Sequence, residues 1–214
     1  MNMNNRFDFK KIAVIVAHPD DETLWCGGMM LMNPQCSWII ICLCRRNDTD
    51  RVPKFFDALI RYGATGAMGN LDDGPEQKSL PQSQVETAVR FLLPPVHYDL
   101  IITHSPAGEY TRHKRHEETG RAVSNLWEQK KINSDELWFF AYEDCNKTAY
   151  PRTIQHAHRI VELPESVRLK KYKIITQIYG FSKESFEAMT TPEKEAFWCF
   201  KKGEKIQHEN IGFI

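Results

Sequence analysis

The chain has 214 residues, of which 42% are hydrophobic and 26% charged, as in an ordinary globular protein. This length supports one domain with a sizeable core and is short for two. Basic and acidic residues number 28 each, so the formal net charge is zero and gives no electrostatic reason to expect nucleic acid or an anionic membrane as partner. The sequence has no apolar run of 18 residues or more, so no membrane-spanning helix is predicted.

The N-terminal segment and the cysteines bear on location. Residues 1–11 are polar and asparagine-rich and lack the apolar core of a signal peptide, so we expect a cytoplasmic protein. The six cysteines form no CxxC pair, and we interpret them as small buried thiols rather than a disulfide framework. Nothing in the pattern decides the oligomeric state, and a homo-oligomer is left open.

Apolar segments alternate with amphipathic ones along the chain. Continuous apolar runs predict buried strands, and these are 11–17, 38–44, 100–103 and 137–142. Residues 173–177 fit either a strand or part of a helix. Helical spacing occupies 23–32, 50–62, 81–93 and 117–131, whereas 69–80 and 145–152 have the composition of loops. This alternation predicts an α/β fold, a Rossmann-like three-layer α/β/α sandwich with a mostly parallel sheet.

Two polar clusters follow predicted strands. Residues 18–22 come directly after the first strand, and residues 104–106 follow the third and lead to His113 and His116. Ligands of open α/β sheets bind beyond the carboxyl ends of the strands. We therefore expect both clusters at one rim of the sheet.

The first cluster holds one imidazole and three carboxylates in five residues. Carboxylates this close repel one another unless a cation or a donor neutralises them, and a divalent metal is the simplest neutraliser. The alternative is purely structural, with Asp20, Asp21 and Glu22 favouring the N-terminus of the following helix.

The second cluster contains His113 and His116, whose spacing places both on one helix face. Taken alone, this pair favours the structural alternative, two solvated histidines in a basic loop. Two histidines and one aspartate together suit a catalytic zinc with an open position. Asp20 and the second histidine are then available as base and acid.

These stretches resemble the motifs of the PIG-L/LmbE-like N-deacetylase family. Residues 17–22 (AHPDDE), followed by Gly27 and Gly28, are similar to its hallmark motif, and residues 103–116 are similar to its second motif. The similarity covers about 11–182, so we describe 1–214 as a single domain with a C-terminal extension at 183–214.

The resemblance implies an enzyme, a metal-dependent amidohydrolase acting on linear amides. It removes an acetyl group from the nitrogen of an N-acetylglucosamine-type small molecule or glycoconjugate by attack of a metal-activated water. The implied ligands of one Zn²⁺ per chain are His18, Asp21 and His116, with another divalent ion as the alternative. Asp20 matches the general base, and His113 matches the residue that stabilises the oxyanion and protonates the leaving amine.

Substrate-binding residues are predicted from position alone. Arg51 opens the helix after the second strand and should face the same rim, so it is our candidate for an anionic aglycone. Glu109 and Tyr110 are candidates for hydrogen bonds to sugar hydroxyls, with a structural role in their loop as the equal alternative. Further candidate cations are Arg45, Arg46 and Arg112. For each of the four arginines, Arg51 included, the alternative is a solvated or helix-paired charge.

One residue departs from the family pattern. The family commonly has His-Pro-Asp-His in its second motif, but Arg115 stands here in place of the aspartate. We expect its charge to act near His113, which leaves open a catalytically weakened or non-catalytic metal- or sugar-binding protein. A nucleotide-binding Rossmann protein would need a glycine-rich loop after the first strand, where residues 18–22 are acidic instead.

Overall fold

The computed structural model describes residues 8–110, 113–206 and 211. Within them the strands are β1 (Lys11–Val16), β2 (Ser37–Cys44), β3 (Thr65–Leu71), β4 (His97–Thr103), β5 (Asn133–Phe140), β6 (Tyr142–Glu143), β7 (Arg152–Thr153), β8 (Arg159–Glu162) and β9 (Lys194–Lys201). The helices are α1 (Asp21–Met32), α2 (Arg51–Tyr62), α3 (Gln82–Leu92), α4 (Lys114–Glu128), α5 (Glu165–Lys173) and α6 (Phe186–Thr190), and a π-helical turn, Ile174–Ile178, continues α5. None of the described helices is long and apolar enough to cross a membrane.

In the described part of the chain, seven strands form the main sheet in the order β3-β2-β1-β4-β5-β9-β8. The first five are parallel, whereas β9 runs antiparallel to both of its neighbours. The strand order reverses between β1 and β4, and a crevice for ligands opens at such a point. The predicted Rossmann-like α/β fold with a mostly parallel sheet is confirmed.

Strand β1 is buried on both faces because helices cover both sides of the sheet. Alternate residues point into two separate cores: Ile12, Val14 and Val16 pack with α1 and α2, whereas Ala13 and Ile15 pack with α3 and α4. This accounts for a continuous apolar run where a one-sided strand would alternate.

The C-terminal segment is part of the main sheet. Strand β9 lies between β5 and β8, with Phe140 opposite Phe197, so the segment that we described as an extension supplies an interior strand.

Residues 173–177, for which the sequence allowed a strand or a helix, are helical. Strand β3, partly within a predicted loop, has two glycines and no apolar run, so its sequence pattern is weak.

Helix α1 is kinked, and a buried ion pair stabilises the kink. Cys26 has φ −146°, outside the helical region. Beyond it the backbone N–H groups of Gly28 and Met29 donate to the carboxylate of Glu195 at 2.7 and 2.8 Å. The Nζ atom of Lys171 lies 2.7 Å from the same carboxylate, and both side chains are fully buried. Glu195 thus satisfies N–H groups that the kink deprives of helical acceptors.

Candidate metal centre

Three side chains from three elements converge at the crevice. His18 follows β1, Asp21 begins α1, and His116 lies in the first turn of α4. The Nδ1 atom of His18 is 3.2 Å from Asp21 Oδ2 and 3.2 Å from His116 Nε2, and the last two atoms are 3.3 Å apart. Ligands placed tetrahedrally about 2.0–2.1 Å from zinc are about 3.3–3.4 Å from one another. The spacing and chemistry of these three atoms therefore fit a zinc-like divalent ion.

Glu109 orients His116. Its carboxylate accepts from Nδ1 of His116 at 2.7 Å, from Nδ1 of His104 at 2.8 Å and from the Ser105 backbone N–H at 2.8 Å. Burial opposes ionisation, but His104 and His116 outweigh it and lower the pKa of Glu109 to about 2. The Glu109 side chain is fully buried, and its bond to Nδ1 leaves Nε2 of His116 free as a possible metal donor, while the predicted sugar contact of Glu109 stays a prediction.

His104 lies beside the three donor atoms, and the sequence analysis assigned it no role as a ligand. Its ring stacks on that of His116 with centroids 3.9 Å apart, and its Nε2 atom accepts from the Ala17 backbone N–H at 3.0 Å. The same atom is 3.3 Å from Asp21 Oδ2. Among the described residues, Asp21, His104 and His116 form one compact group of side chains that could hold a metal ion, and His18, His113 and His116 form another. The signal in the sequence was the position of His104 directly after β4.

The backbone of Asp20 is strained. Its φ is 128°, a region that L-residues rarely adopt, and no hydrogen bond from its side chain caps α1 in the described structure. Its backbone N–H donates to Glu22 Oε2 at 3.1 Å, and Glu22 itself is fully buried and accepts from the Tyr179 hydroxyl at 2.6 Å. Glu22 therefore supports a conformation that aims Asp20 at the crevice instead of capping the helix.

The two adjacent aspartates have opposite electrostatic environments. Burial, together with the charge of Asp21, raises the pKa of Asp20 well above its usual value. Burial also opposes ionisation of Asp21, but His116 and His104 outweigh it and hold its pKa well below the usual value. Two neighbouring carboxyl groups whose pKa values are pushed apart are suited to different chemical roles.

His113 directly precedes α4, and its ring lies beside those of His18 and His116. Its ring centroid is 4.8 Å from that of His18 and 4.3 Å from that of His116. Burial, and then the charges of His116 and His18, lower the pKa of His113 to about 3, so its imidazole is neutral near pH 7. Among the described residues its buried Nδ1 atom has no hydrogen-bond partner.

Arg115 carries its charge away from His113. It is 1% exposed, and its guanidinium pairs with Glu118 and donates to the backbone carbonyls of Asp72 and Lys78, each at 2.5 Å. The charge that we expected beside His113 is therefore paired with a carboxylate on the same helix.

The crevice opens into a cleft of about 260 Å³. Arg51 lines it, with Nη1 3.4 Å from Asp20 Oδ2 and its guanidinium 4.5 Å from the Phe181 ring centroid. Tyr110 and Phe186 also line the cleft, with ring centroids 5.3 Å apart, and the Phe186 ring is 6.0 Å from that of Tyr150. These three rings are successive neighbours, and two of them line the cleft. Arg112 lies outside the described residues.

Known proteins include a distant sequence relative of this chain and several structures that are similar to it. No protein-family model matches the chain. A relative, the uncharacterised protein L374 of Acanthamoeba polyphaga mimivirus, is 23% identical over 190 residues, 80% of this chain and 79% of the relative.

Solved structures with the same fold include LmbE-like deacetylases. The N,N'-diacetylchitobiose deacetylase of Pyrococcus horikoshii matches with TM-score 0.70 and 17% identity, over 94% of this chain and 88% of its own. A zinc-inhibited form of teicoplanin deacetylase matches with TM-score 0.63 and 13% identity, over 92% and 100%. The 4-carboxy-2-hydroxymuconate hydratase of Pseudomonas putida KT2440 matches with TM-score 0.60 and 14% identity, over 92% and 99%. The fold therefore hosts more than one reaction, and the site must decide among them.

Proposed function

We propose that this chain, with the LmbE-like deacetylase fold, is a divalent-metal-dependent hydrolase that removes the acetyl group from an N-acetylglucosamine-type substrate. The observation that carries the proposal is the set of three donor atoms 3.2–3.3 Å apart on His18, Asp21 and His116, with Asp20 beside them. When bound, the metal supplies a Lewis acid that polarises the amide carbonyl and lowers the pKa of water.

The protein's own groups then divide the proton transfers. Asp20 accepts a proton from the attacking water as oxygen bonds to the carbonyl carbon. The neutral imidazole of His113 donates its N–H to the carbonyl oxygen, where negative charge develops. The C–N bond breaks as the nitrogen takes up the proton held by Asp20, releasing acetate and a free amine. Losing one oxyanion donor costs about 10²–10³ in kcat in other hydrolases.

The walls of the cleft support an amino-sugar substrate. Its volume of about 260 Å³ lies just below the usual range for small-molecule pockets, roughly 300–1,000 Å³, and suits a single sugar ring. The rings of Tyr110 and Phe186 offer flat apolar surface in the cleft lining, and Arg51 offers a positive charge there. An anionic or hydroxyl-rich aglycone at Arg51 is part of the proposal, as is cytoplasmic location.

The test is release of primary amine from a panel of N-acetylglucosaminides, with the protein loaded in turn with Zn²⁺ and other divalent ions. The Asp20→Asn variant tests the general base without disturbing the metal centre, because it keeps the size of the side chain and leaves the three donor atoms in place. We expect it to bind metal like the wild type and to lose about 10²- to 10⁴-fold in turnover.

Two results would contradict the proposal in different ways. Wild-type turnover by Asp20→Asn would show that Asp20 is not the base. Stoichiometric metal binding without amine release from any acetamido sugar would favour the alternative, a non-catalytic metal- or sugar-binding protein on this fold.

A further inference from the structure

A buried carboxylate outside the two sequence motifs contacts His18. Asp73 lies just after β3, and its side chain is 6% exposed. Its Oδ1 atom lies 3.1 Å from Nε2 of His18 and accepts from the Gln77 side-chain amide at 3.0 Å. The Nε2 atom of His18 points away from the three converging donor atoms, so Asp73 acts on the far side of that ring.

The other oxygen of Asp73 is held by Arg45. Oδ2 lies 2.8 Å from Nε and 2.6 Å from Nη2 of that guanidinium, a two-point contact with fixed geometry. Arg45 follows β2 and has φ 69°, in the left-handed region that residues other than glycine seldom occupy. Asp73 is therefore fixed from both sides, by Arg45 and by His18.

Arg115 anchors the loop that carries Asp73. Residues 72–78 contain no helix or strand, so contacts with the rest of the protein decide where this loop lies. Arg115 donates to the carbonyls of Asp72 and Lys78 at its two ends. Because Arg115 precedes His116 in α4, one turn of helix carries both a donor atom of the candidate metal centre and the anchor of the loop.

We propose that Asp73, held by Arg45 and by the loop anchor Arg115, positions His18 for metal binding. A carboxylate acceptor at Nε2 keeps the proton on that nitrogen and leaves the Nδ1 lone pair directed at Asp21 and His116. Arg115 thus has a task in this chain that an aspartate could not perform. The inference rests on the proposed metal site.

The experiment measures Zn²⁺ affinity directly, by competition with a chromophoric chelator, and the absorption spectrum of the Co²⁺-loaded protein. We expect Asp73→Ala to bind Zn²⁺ about 10- to 100-fold more weakly, the usual effect of losing a partner of a metal-bound histidine. The Co²⁺ spectrum should change as well, because the imidazole is no longer held in one orientation. Glu76→Ala is the matched control: it removes a carboxylate from the same loop whose side chain is 70% exposed and pairs with Lys78 Nζ.

A second variant tests the anchor. Arg115→Met combined with Glu118→Gln removes the guanidinium without leaving a buried charge, and it should also weaken Zn²⁺ binding although neither residue contacts the donor atoms. Thermal unfolding of the metal-free proteins establishes that each variant is folded.

Wild-type Zn²⁺ affinity and an unchanged Co²⁺ spectrum in folded Asp73→Ala would overturn the positioning role and leave the proposed function standing. Equal losses in Asp73→Ala and Glu76→Ala would also overturn it, since loop charge alone would then explain the effect. Failure of the wild-type chain to bind any divalent ion would overturn both the positioning role and the metal centre.

Discussion

The buried pair between Lys171 and Glu195 gives a prediction about stability. The two side chains are fully buried with 2.7 Å between Nζ and Oε1. In Lys171→Met the partners left to the carboxylate, within the part of the chain that the structure describes, are the N–H groups of Gly28 and Met29. Breaking a buried pair in this way costs about 3–5 kcal/mol, and the two remaining donors favour the lower end. For a domain of this size, about 3 kcal/mol lowers Tm by roughly 6–12 °C.

The assay is urea and thermal unfolding of three variants. Lys171→Met combined with Glu195→Gln leaves no buried charge and loses one acceptor for a backbone N–H, so we expect a cost of only about 1–2 kcal/mol. The double variant should therefore be more stable than the single one. Lys170→Met, at an exposed neighbouring position, should change stability by no more than about 0.5 kcal/mol. A double variant less stable than Lys171→Met would refute the reasoning that an uncompensated buried carboxylate dominates the cost.

Two further predictions concern the ends of β4. Asp99 accepts from the backbone N–H groups of Lys11 and Lys10, and these bonds lower its pKa. The contribution of Asp99 to the free energy of unfolding is therefore present above the unfolded pKa of about 3.9 and is lost as pH falls through the lower folded pKa. At pH 7, Asp99→Ala should lower the free energy of unfolding by about 1 kcal/mol. Urea titrations should show the stability difference between this variant and the wild type narrowing below about pH 4. A Cβ on Gly120 would lie 2.5 Å from the carbonyl oxygen of His104, so Gly120→Ala should lose about 1–3 kcal/mol and bind Zn²⁺ more weakly. Wild-type Zn²⁺ affinity in Gly120→Ala would show that residues 104–106 can shift without affecting the candidate metal centre.

The sequence predicted the layered α/β architecture and the rim at which the candidate site lies, but not the interior strand β9. Apolar runs in β1, β2 and β4 are local signals, because a strand buried on both faces has no polar positions. The carboxyl ends of parallel strands lie at one rim of an open α/β sheet, and ligands bind there. This rule predicts that residues 18–22 and 104–116 meet at that rim without any knowledge of side-chain contacts. Resemblance added the assignment of ligands and base.

The partners that orient the site came only from tertiary structure. Asp73 and His18 are 55 residues apart and His104 and Ala17 are 87 apart, and no periodic pattern links such positions. Arg115 is the clearest case: the sequence placed its charge beside His113, but the fold supplied Glu118 and a loop of carbonyls instead. Local composition determines which segments are buried in the sheet, whereas the direction of a long charged side chain depends on which partners the folded chain brings within reach.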